Sequence, residues 1–215
     1  MLIGVIIIMI YSFFKRFIDI VLSLAGVVLF SPLFIVIAVL IKIDSKGPIL
    51  FKQKRFGQHK KLFNIYKFRT MYVETPKDTP THLLQDRKKC ITRMGSLLRK
   101  TSLDEVPQLV NILVGHMSIV GPRPALWNQD DLISLRDKYD VNDVPVGLTG
   151  WTQINGRDGN SVPLKAELDG FYVSNKSIWF DMKCMYLTVV HVVTRQSTVD
   201  VDASESENSS NGSNK

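Results

Sequence analysis

The longest apolar run covers residues 17–43, and its only charged members are Asp19 near the start and Lys42 near the end. A straight helix of that length reaches about 40 Å at ~1.5 Å per residue, more than the roughly 30 Å hydrocarbon core of a bilayer. Ser31-Pro32 falls near the middle. Proline at that position frees the carbonyl of Val28 and kinks a helix, and the Ser31 hydroxyl is placed to satisfy loosened backbone groups. Broken there, the arms are roughly 22 and 18 Å long, and neither crosses a bilayer alone. Lys15 and Arg16 precede the run, and Lys42 and Lys46 close it. Cations at both ends leave the positive-inside rule without an orientation. A kinked, re-entrant helix that enters and leaves by one leaflet accounts for both features, and a bent spanning helix stands beside it as the alternative. Residues 2–10 are also apolar but too short to span. Residues 1–15 lack the basic start and small-residue cleavage site of a secretory signal.

After Gly47-Pro48 the pattern changes. Residues 49–55 and 61–69 read as two strands joined by a turn at 56–60. The hairpin carries Lys52, Lys54, Arg55, Lys60, Lys61, Lys67 and Arg69. A polar connection follows over 72–86, with Pro76 and Pro80. Residues 91–100 form a short helix that sets Arg93, Arg99 and Lys100 just ahead of Asp104 and Glu105. Ser102 and Glu105 have the spacing of a capping box. Val106, Leu109, Val110, Ile112 and Leu113 continue an apolar pattern, so a helix is expected to begin at the acid pair. The positive end of a helix dipole keeps a carboxylate ionised there, as a nucleophile or a metal ligand must be. Taken alone, the stretch also fits two solvated acids at a helix start.

Further along, Gly121-Pro122-Arg123-Pro124 holds one arginine in extended backbone between two prolines, which suits a bidentate phosphate contact. Residues 126–139 read as a polar-faced helix. Residues 147–158 read as a loop with three glycines where backbone can approach a ligand. Trp151 offers it a stacking face and Arg157 a cation. In the last helix, over 177–195, Ile178, Met182, Met185, Val189 and Val192 recur at three- to four-residue steps. That helix packs on the core or lies on a membrane surface, with Trp179 and Tyr186 at headgroup level. Residues 196–215 are rich in Ser, Asn and Glu and are expected to be disordered.

Composition narrows the partners. The 215 residues suffice for one globular core plus appendages. The formal charge is +7 with a pI near 9.4, and the final stretch 196–215 is net acidic, so the body is more basic still. Such a body suits phosphates, anionic lipid heads or nucleic acid. No zinc finger, RNP aromatic pair or zipper is present, which excludes nucleic acid and leaves membrane and phosphate. The isolated Cys90 and Cys184 imply no disulfide scaffold, and the scattered His59, His82, His116 and His191 imply no Cys/His metal site. The expected organisation is an N-terminal segment with a membrane helix over 1–46, a catalytic domain over 47–195 and a tail over 196–215.

Seven segments occur together in one order. They are Lys15-Arg16 and Asp19 before an apolar helix with Ser31-Pro32; Tyr66-Lys67-Phe68-Arg69-Thr70-Met71; Arg99 ahead of Ser102-Leu103-Asp104-Glu105; Met117 through Pro124; Gly147-Leu148-Thr149-Gly150-Trp151; Asn155-Gly156-Arg157; and Glu167-Leu168-Asp169. In this the chain resembles the bacterial sugar transferases of the monotopic phosphoglycosyl transferase family, in particular its small single-domain members. The resemblance implies an α/β, mostly helical fold with a small β-hairpin. It implies a re-entrant anchor and amphipathic interfacial helices at the cytoplasmic face of a bacterial inner membrane. It implies transfer of a phospho-sugar from a UDP-sugar to polyprenyl (undecaprenyl) phosphate, with release of UMP and dependence on Mg²⁺. By the same resemblance Asp104 is the nucleophile, and Glu105 shares the handling of Mg²⁺. Lys67, Arg99 and Arg123 lie near the phosphates, Arg157 lies at the nucleotide, and Asp169 is a further functional carboxylate.

Two positions depart from the family pattern. Val144-Pro145-Val146 stands where relatives commonly have Val-Arg-Pro, and Asp158 stands where Asn is usual. Both bear on the sugar or nucleotide side, and so on substrate identity. The same basic body would also serve a non-catalytic, membrane-anchored phosphate- or nucleotide-binding protein. A one-step transfer in which Asp104 only holds Mg²⁺ is the rival mechanism.

Overall fold

One helix, α1 (Leu2–Asp44), takes up both apolar runs in the computed structural model, which describes residues 2–76, 87–156 and 160–194. Arg157, Asp158, the tail 196–215 and part of the polar connection lie outside the described residues. The sequence reading separated 2–10 from 17–43. Residues 11–16 hold neither Gly nor Pro, so nothing between the two runs stops the helix. Pro32 sits inside α1. The Val28 carbonyl that it leaves without an amide donor accepts a hydrogen bond from Ser31 Oγ at 2.8 Å.

The hairpin forms as expected, from β1 (Leu50–Phe56) and β2 (Leu62–Phe68), antiparallel, with Arg55 opposite Phe63 and Phe51 opposite Lys67. A short helix α2 (Arg87–Cys90) leads into α3 (Arg93–Lys100), which Thr92 caps by accepting from the Gly95 amide at 3.0 Å. Gly95 lies directly on the backbone of Thr70, where a Cβ would collide with the Thr70 carbonyl. Helix α4 (Gln108–Leu113), strand β3 (Ser118–Val120), helix α5 (Asp130–Asp137) and strand β4 (Gly147–Thr149) follow. The chain ends with α6 (Trp151–Ile154), α7 (Val162–Asn175) and α8 (Ile178–Val193).

Several expectations are corrected. No helix begins at the acid pair. Ser102 adopts left-handed backbone (φ 57°) and makes no capping bond, and Leu103–Glu105 is a single 3-10 turn. Pro107 then stands at the cap position of α4. The Glu105 side chain is engaged elsewhere, so the reciprocal capping bond is not made. The glycine-rich stretch 147–158 is not all loop. Gly147–Thr149 pairs in parallel with β3, Ser118 opposite Gly147 and Val120 opposite Thr149, and α6 follows. Helix α7 was not anticipated, although Ser161 caps it and a proline occupies its first turn.

The helix α1 is bonded to the rest of the chain at two widely separated places. Lys15 donates to the Val120 carbonyl (2.9 Å) and to Asp181 (2.8 Å). Asp181 also accepts from Tyr11 (3.0 Å) and Tyr172 (2.8 Å). Arg16 donates to the Ile112 and Leu113 carbonyls at the C-terminal end of α4, at 2.6 and 2.8 Å. A cation is favoured at that end by the helix dipole. Asp19 accepts from the Ile119 amide (2.9 Å) and the Ser118 hydroxyl (3.1 Å). At the other end, Asp44 accepts the Met94 amide at 3.0 Å, and Arg69 donates to the carbonyls of Ser45 (2.7 Å) and Lys46. Ile37 and Ile41 pack with Phe68 and Leu98. Between the two attachments, residues 28–32 are exposed on every face, for more than one turn of about 3.6 residues. The outward faces are apolar, among them Phe13, Phe17, Leu29, Ile35 and Ile43. This is the described helix that is long and apolar enough to enter a membrane.

The buried pair at α1 yields a stability test. Lys15→Met strands the Asp181 carboxylate and is expected to cost about 3 kcal/mol, whereas Lys15→Met with Asp181→Asn recovers more than half of that. Thermal unfolding of both variants in detergent measures it. Equal losses in the two variants would contradict the pairing.

Candidate active site

Three elements meet at one carboxylate oxygen. Lys67 on β2 reaches Glu105 Oε1 at 2.7 Å, and Arg123, in the proline-flanked segment after β3, reaches the same oxygen at 3.3 Å. The side chains of Glu105, Lys67 and Arg123 retain 10, 15 and 27 % exposure, so this is a partly buried cluster. The 3-10 turn separates the two acids. Glu105 faces inward onto the cations while Asp104 remains half-buried. Burial pulls the pKa of the Lys67 ammonium down. The Glu105 charge opposes that most strongly, Arg123 adds to it, Asp104 opposes it and Arg55 adds to it. Asp104 and Arg55 therefore lie within electrostatic range of Lys67.

The arginine segment is held along its length. The Gly147 amide donates to the Pro122 carbonyl at 2.8 Å, Arg136 Nη2 to the Arg123 carbonyl at 2.9 Å, and Arg55 Nη1 to the Pro124 carbonyl at 3.0 Å. Gly147 permits the first of these contacts, since a Cβ there would strike the Gly121 backbone. Arg99, one turn beyond Gly95 on α3, donates Nε to Thr70 Oγ1 at 2.9 Å. It thus stands at the end of the strand that carries Lys67.

The structure brings together Lys67, Asp104, Glu105 and Arg123, and sets Arg99 at Thr70. Asp169 is a different case. It is buried, and its hydrogen bonds go to Arg136 (Nε, 2.9 Å) and Thr152 (Oγ1, 2.6 Å). It meets the cluster through Arg136 rather than directly. Trp151 does not stand as an open stacking platform. Its ring stacks on Phe171 at 5.5 Å, packs on Phe180 at 5.1 Å and lies under the Lys183 ammonium. Arg157 lies outside the described residues.

Two arginines escaped the sequence reading. Arg55 was one hairpin cation among many, yet opposite residues of an antiparallel pair share a face, and the register Arg55–Phe63 and Phe51–Lys67 puts Arg55 on the Lys67 face. Arg136 carried no such signal, because its partners lie 13 and 33 residues away.

The bacterial sugar transferase family matches residues 10–195. The chain is 41 % identical over 182 residues to a UDP-glucose:undecaprenyl-phosphate glucose-1-phosphate transferase of Escherichia coli (strain K12), covering 81 % of this chain and 39 % of that protein. It is 36 % identical over 190 residues to a UDP-N-acetylgalactosamine-undecaprenyl-phosphate N-acetylgalactosaminephosphotransferase of Aeromonas hydrophila, covering 86 % of this chain and 45 % of that protein. The chain thus spans less than half the length of these two curated relatives. It is 44 % identical over 164 residues to the uncharacterized sugar transferase EpsL of Bacillus subtilis (strain 168), covering 76 % of this chain and 78 % of that protein.

Removing the shared carboxylate leaves two cations facing each other. Glu105→Gln is expected to cost about 3 kcal/mol, or roughly 6–12 °C in Tm for a chain of this size. Without divalent metal, inorganic pyrophosphate should then raise the Tm of this variant more than that of the unaltered protein, because phosphate oxygens replace the lost charge. An equal rise in both, read by thermal unfolding, would contradict the assignment of Lys67 and Arg123 to phosphate.

Proposed function

Because the chain belongs to the bacterial sugar transferase family, we propose that it moves a phospho-sugar from a UDP-sugar to polyprenyl phosphate in two steps. The observation that carries this reading is the acid pair beside Lys67 and Arg123, in a domain bonded to an apolar helix. A diphosphate cannot be approached by an anionic carboxylate until its charge is offset. Lys67 and Arg123 offset it at the phosphates, with Arg99 beside them. An oxygen of Asp104 then attacks the β-phosphorus. The bond from that phosphorus to the bridging oxygen breaks, and UMP leaves with the electron pair. The product is a phospho-sugar ester of the Asp104 carboxylate. An oxygen of the polyprenyl phosphate attacks the same phosphorus, and Asp104 departs as a free carboxylate. Two steps let a water-soluble donor leave before a lipid acceptor arrives.

The donor set fits Mg²⁺ as a shared ligand of protein and substrate. Among the described residues no group of three or more His, Cys, Asp or Glu could hold a metal ion alone. Mg²⁺ is usually held by one or two carboxylates completed by substrate phosphates, and Asp104 and Glu105 supply that number. When bound there the ion offsets diphosphate charge. Arg157 belongs to the nucleotide side on the strength of the family resemblance.

The membrane reading follows from α1. Residues 15–19 and 41–44 are both bonded to one domain, so a helix that carried one end to the far leaflet would draw that domain with it. The attachments support a re-entrant anchor with its apex near Ser31-Pro32, seated at the cytoplasmic face of the bacterial inner membrane. The exposed stripe of Trp179, Met182, Tyr186 and Val189 on α8 gives the same surface a second apolar edge. The chemistry suits the membrane step that starts a glycoconjugate or polysaccharide.

The test is UMP release from a panel of UDP-sugars with undecaprenyl phosphate and Mg²⁺, using the full chain in detergent. At least one donor should yield UMP, and Asp104→Asn should reduce the rate roughly a thousandfold or more. Retained release in that variant would remove Asp104 as the nucleophile. No release from any donor would favour a non-catalytic phosphate-binding protein.

A further inference from the structure

The fixing of Arg123 has a source outside the cluster. Arg136 on α5 is 3 % exposed and Asp169 on α7 is 1 % exposed. Arg136 Nε and Nη2 both donate to Asp169 Oδ2, at 2.9 and 2.5 Å. The same Nη2 donates to the Arg123 carbonyl at 2.9 Å. The other carboxylate oxygen, Oδ1, accepts from Thr152 on α6 at 2.6 Å. One buried carboxylate thus holds, through one guanidinium, the backbone of the phosphate arginine. On its other side it holds the helix that leads into Asn155-Gly156.

We propose that Arg136 is a positioning residue for the transfer, acting through the Arg123 carbonyl, and that Asp169 serves the reaction by orienting Arg136. This rests on the reading of Arg123 as a phosphate ligand. A buried guanidinium gives the Arg123 carbonyl a fixed donor in place of exchangeable water, which restrains the backbone of residue 123. The two flanking prolines remove their own amide donors, and the carbonyls of residues 122, 123 and 124 are each taken by a separate donor. Arg136 among those donors is tied to the buried Asp169 carboxylate. Lysine cannot reproduce it, because a single ammonium lacks the planar fork that reaches both the carboxylate and the carbonyl. A buried ion pair alone would be weak grounds for a role in the reaction. The third bond, to the residue that carries the phosphate cation, is what separates this pair from simple packing.

The experiment is a double-mutant cycle on UDP binding, read by calorimetry with the full chain in detergent, beside Tm and UMP release. Arg136→Lys should weaken UDP binding about tenfold. In an Arg123→Lys background the same substitution should weaken it less than about twofold, since coupled residues are non-additive. A purely structural role would give the same factor in both backgrounds, and that result, or an unchanged affinity in Arg136→Lys, overturns the proposal. Should Arg136→Lys fail to fold, Asp169→Asn keeps the volume of the site and is expected to show the same loss of effect in the Arg123→Lys background. An additive cycle in a protein that binds UDP and releases UMP refutes the positioning role alone. A chain that binds no UDP removes the phosphate reading and this inference together.

Discussion

A carboxylate out of water between two cations is the constraint on which this structure turns. Glu105 Oε1 is within hydrogen-bonding reach of both Lys67 and Arg123. Lys67 and Arg123 offset the charge of this largely buried carboxylate, whose burial without cations would cost several kcal/mol. The pairing therefore sets the hairpin, the turn after α3 and the proline-flanked segment against one another. It also sorts the acid pair. A 3-10 turn cannot point neighbours the same way, so the inward position of Glu105 leaves Asp104 nearer the surface, as the nucleophile role proposed for it requires.

The same economy of charge runs through α1. Lys15, Arg16, Asp19 and Asp44 face the domain, while most of the large exposed side chains of the helix are apolar. Lys15, Asp19 and Asp44 satisfy amides, carbonyls and a buried carboxylate, and Arg16 and Arg69 donate to carbonyls near helix ends. An apolar helix fixed in this way cannot drift relative to the cluster. In the proposed transfer that rigidity is useful, because the depth of the anchor would set the height of Asp104 relative to a lipid phosphate.

How much of this was legible depended on the range of the interaction. The hairpin, the Thr92-capped helix and the last helix are local patterns, and each forms close to where periodicity and punctuation put it. The Ser31 contact with the freed Val28 carbonyl was readable for the same reason. The capping box was not borne out, because Ser102 takes left-handed backbone and Glu105 finds stronger partners 38 and 18 residues away. Strand β4 was read as loop because three residues of parallel pairing leave no alternation to see. Trp151 looked like a platform because neither Phe171 nor Lys183 could be placed against it from spacing. Helix α7 had its signals, Ser161 and a first-turn proline, and was passed over. The site residues came from a motif order, whereas Arg55 and Arg136 emerge only from register and tertiary contact.

The claim that matters most is covalent bonding at Asp104, and intact-mass analysis tests it most directly. The protein is incubated with a productive UDP-sugar and Mg²⁺ in the absence of polyprenyl phosphate, then digested to locate any adduct. The account predicts a mass increase equal to one phospho-sugar on the peptide that contains Asp104, removed when polyprenyl phosphate is added. UMP formed with acceptor present, but no adduct at any time without it, would contradict the account and leave direct one-step transfer.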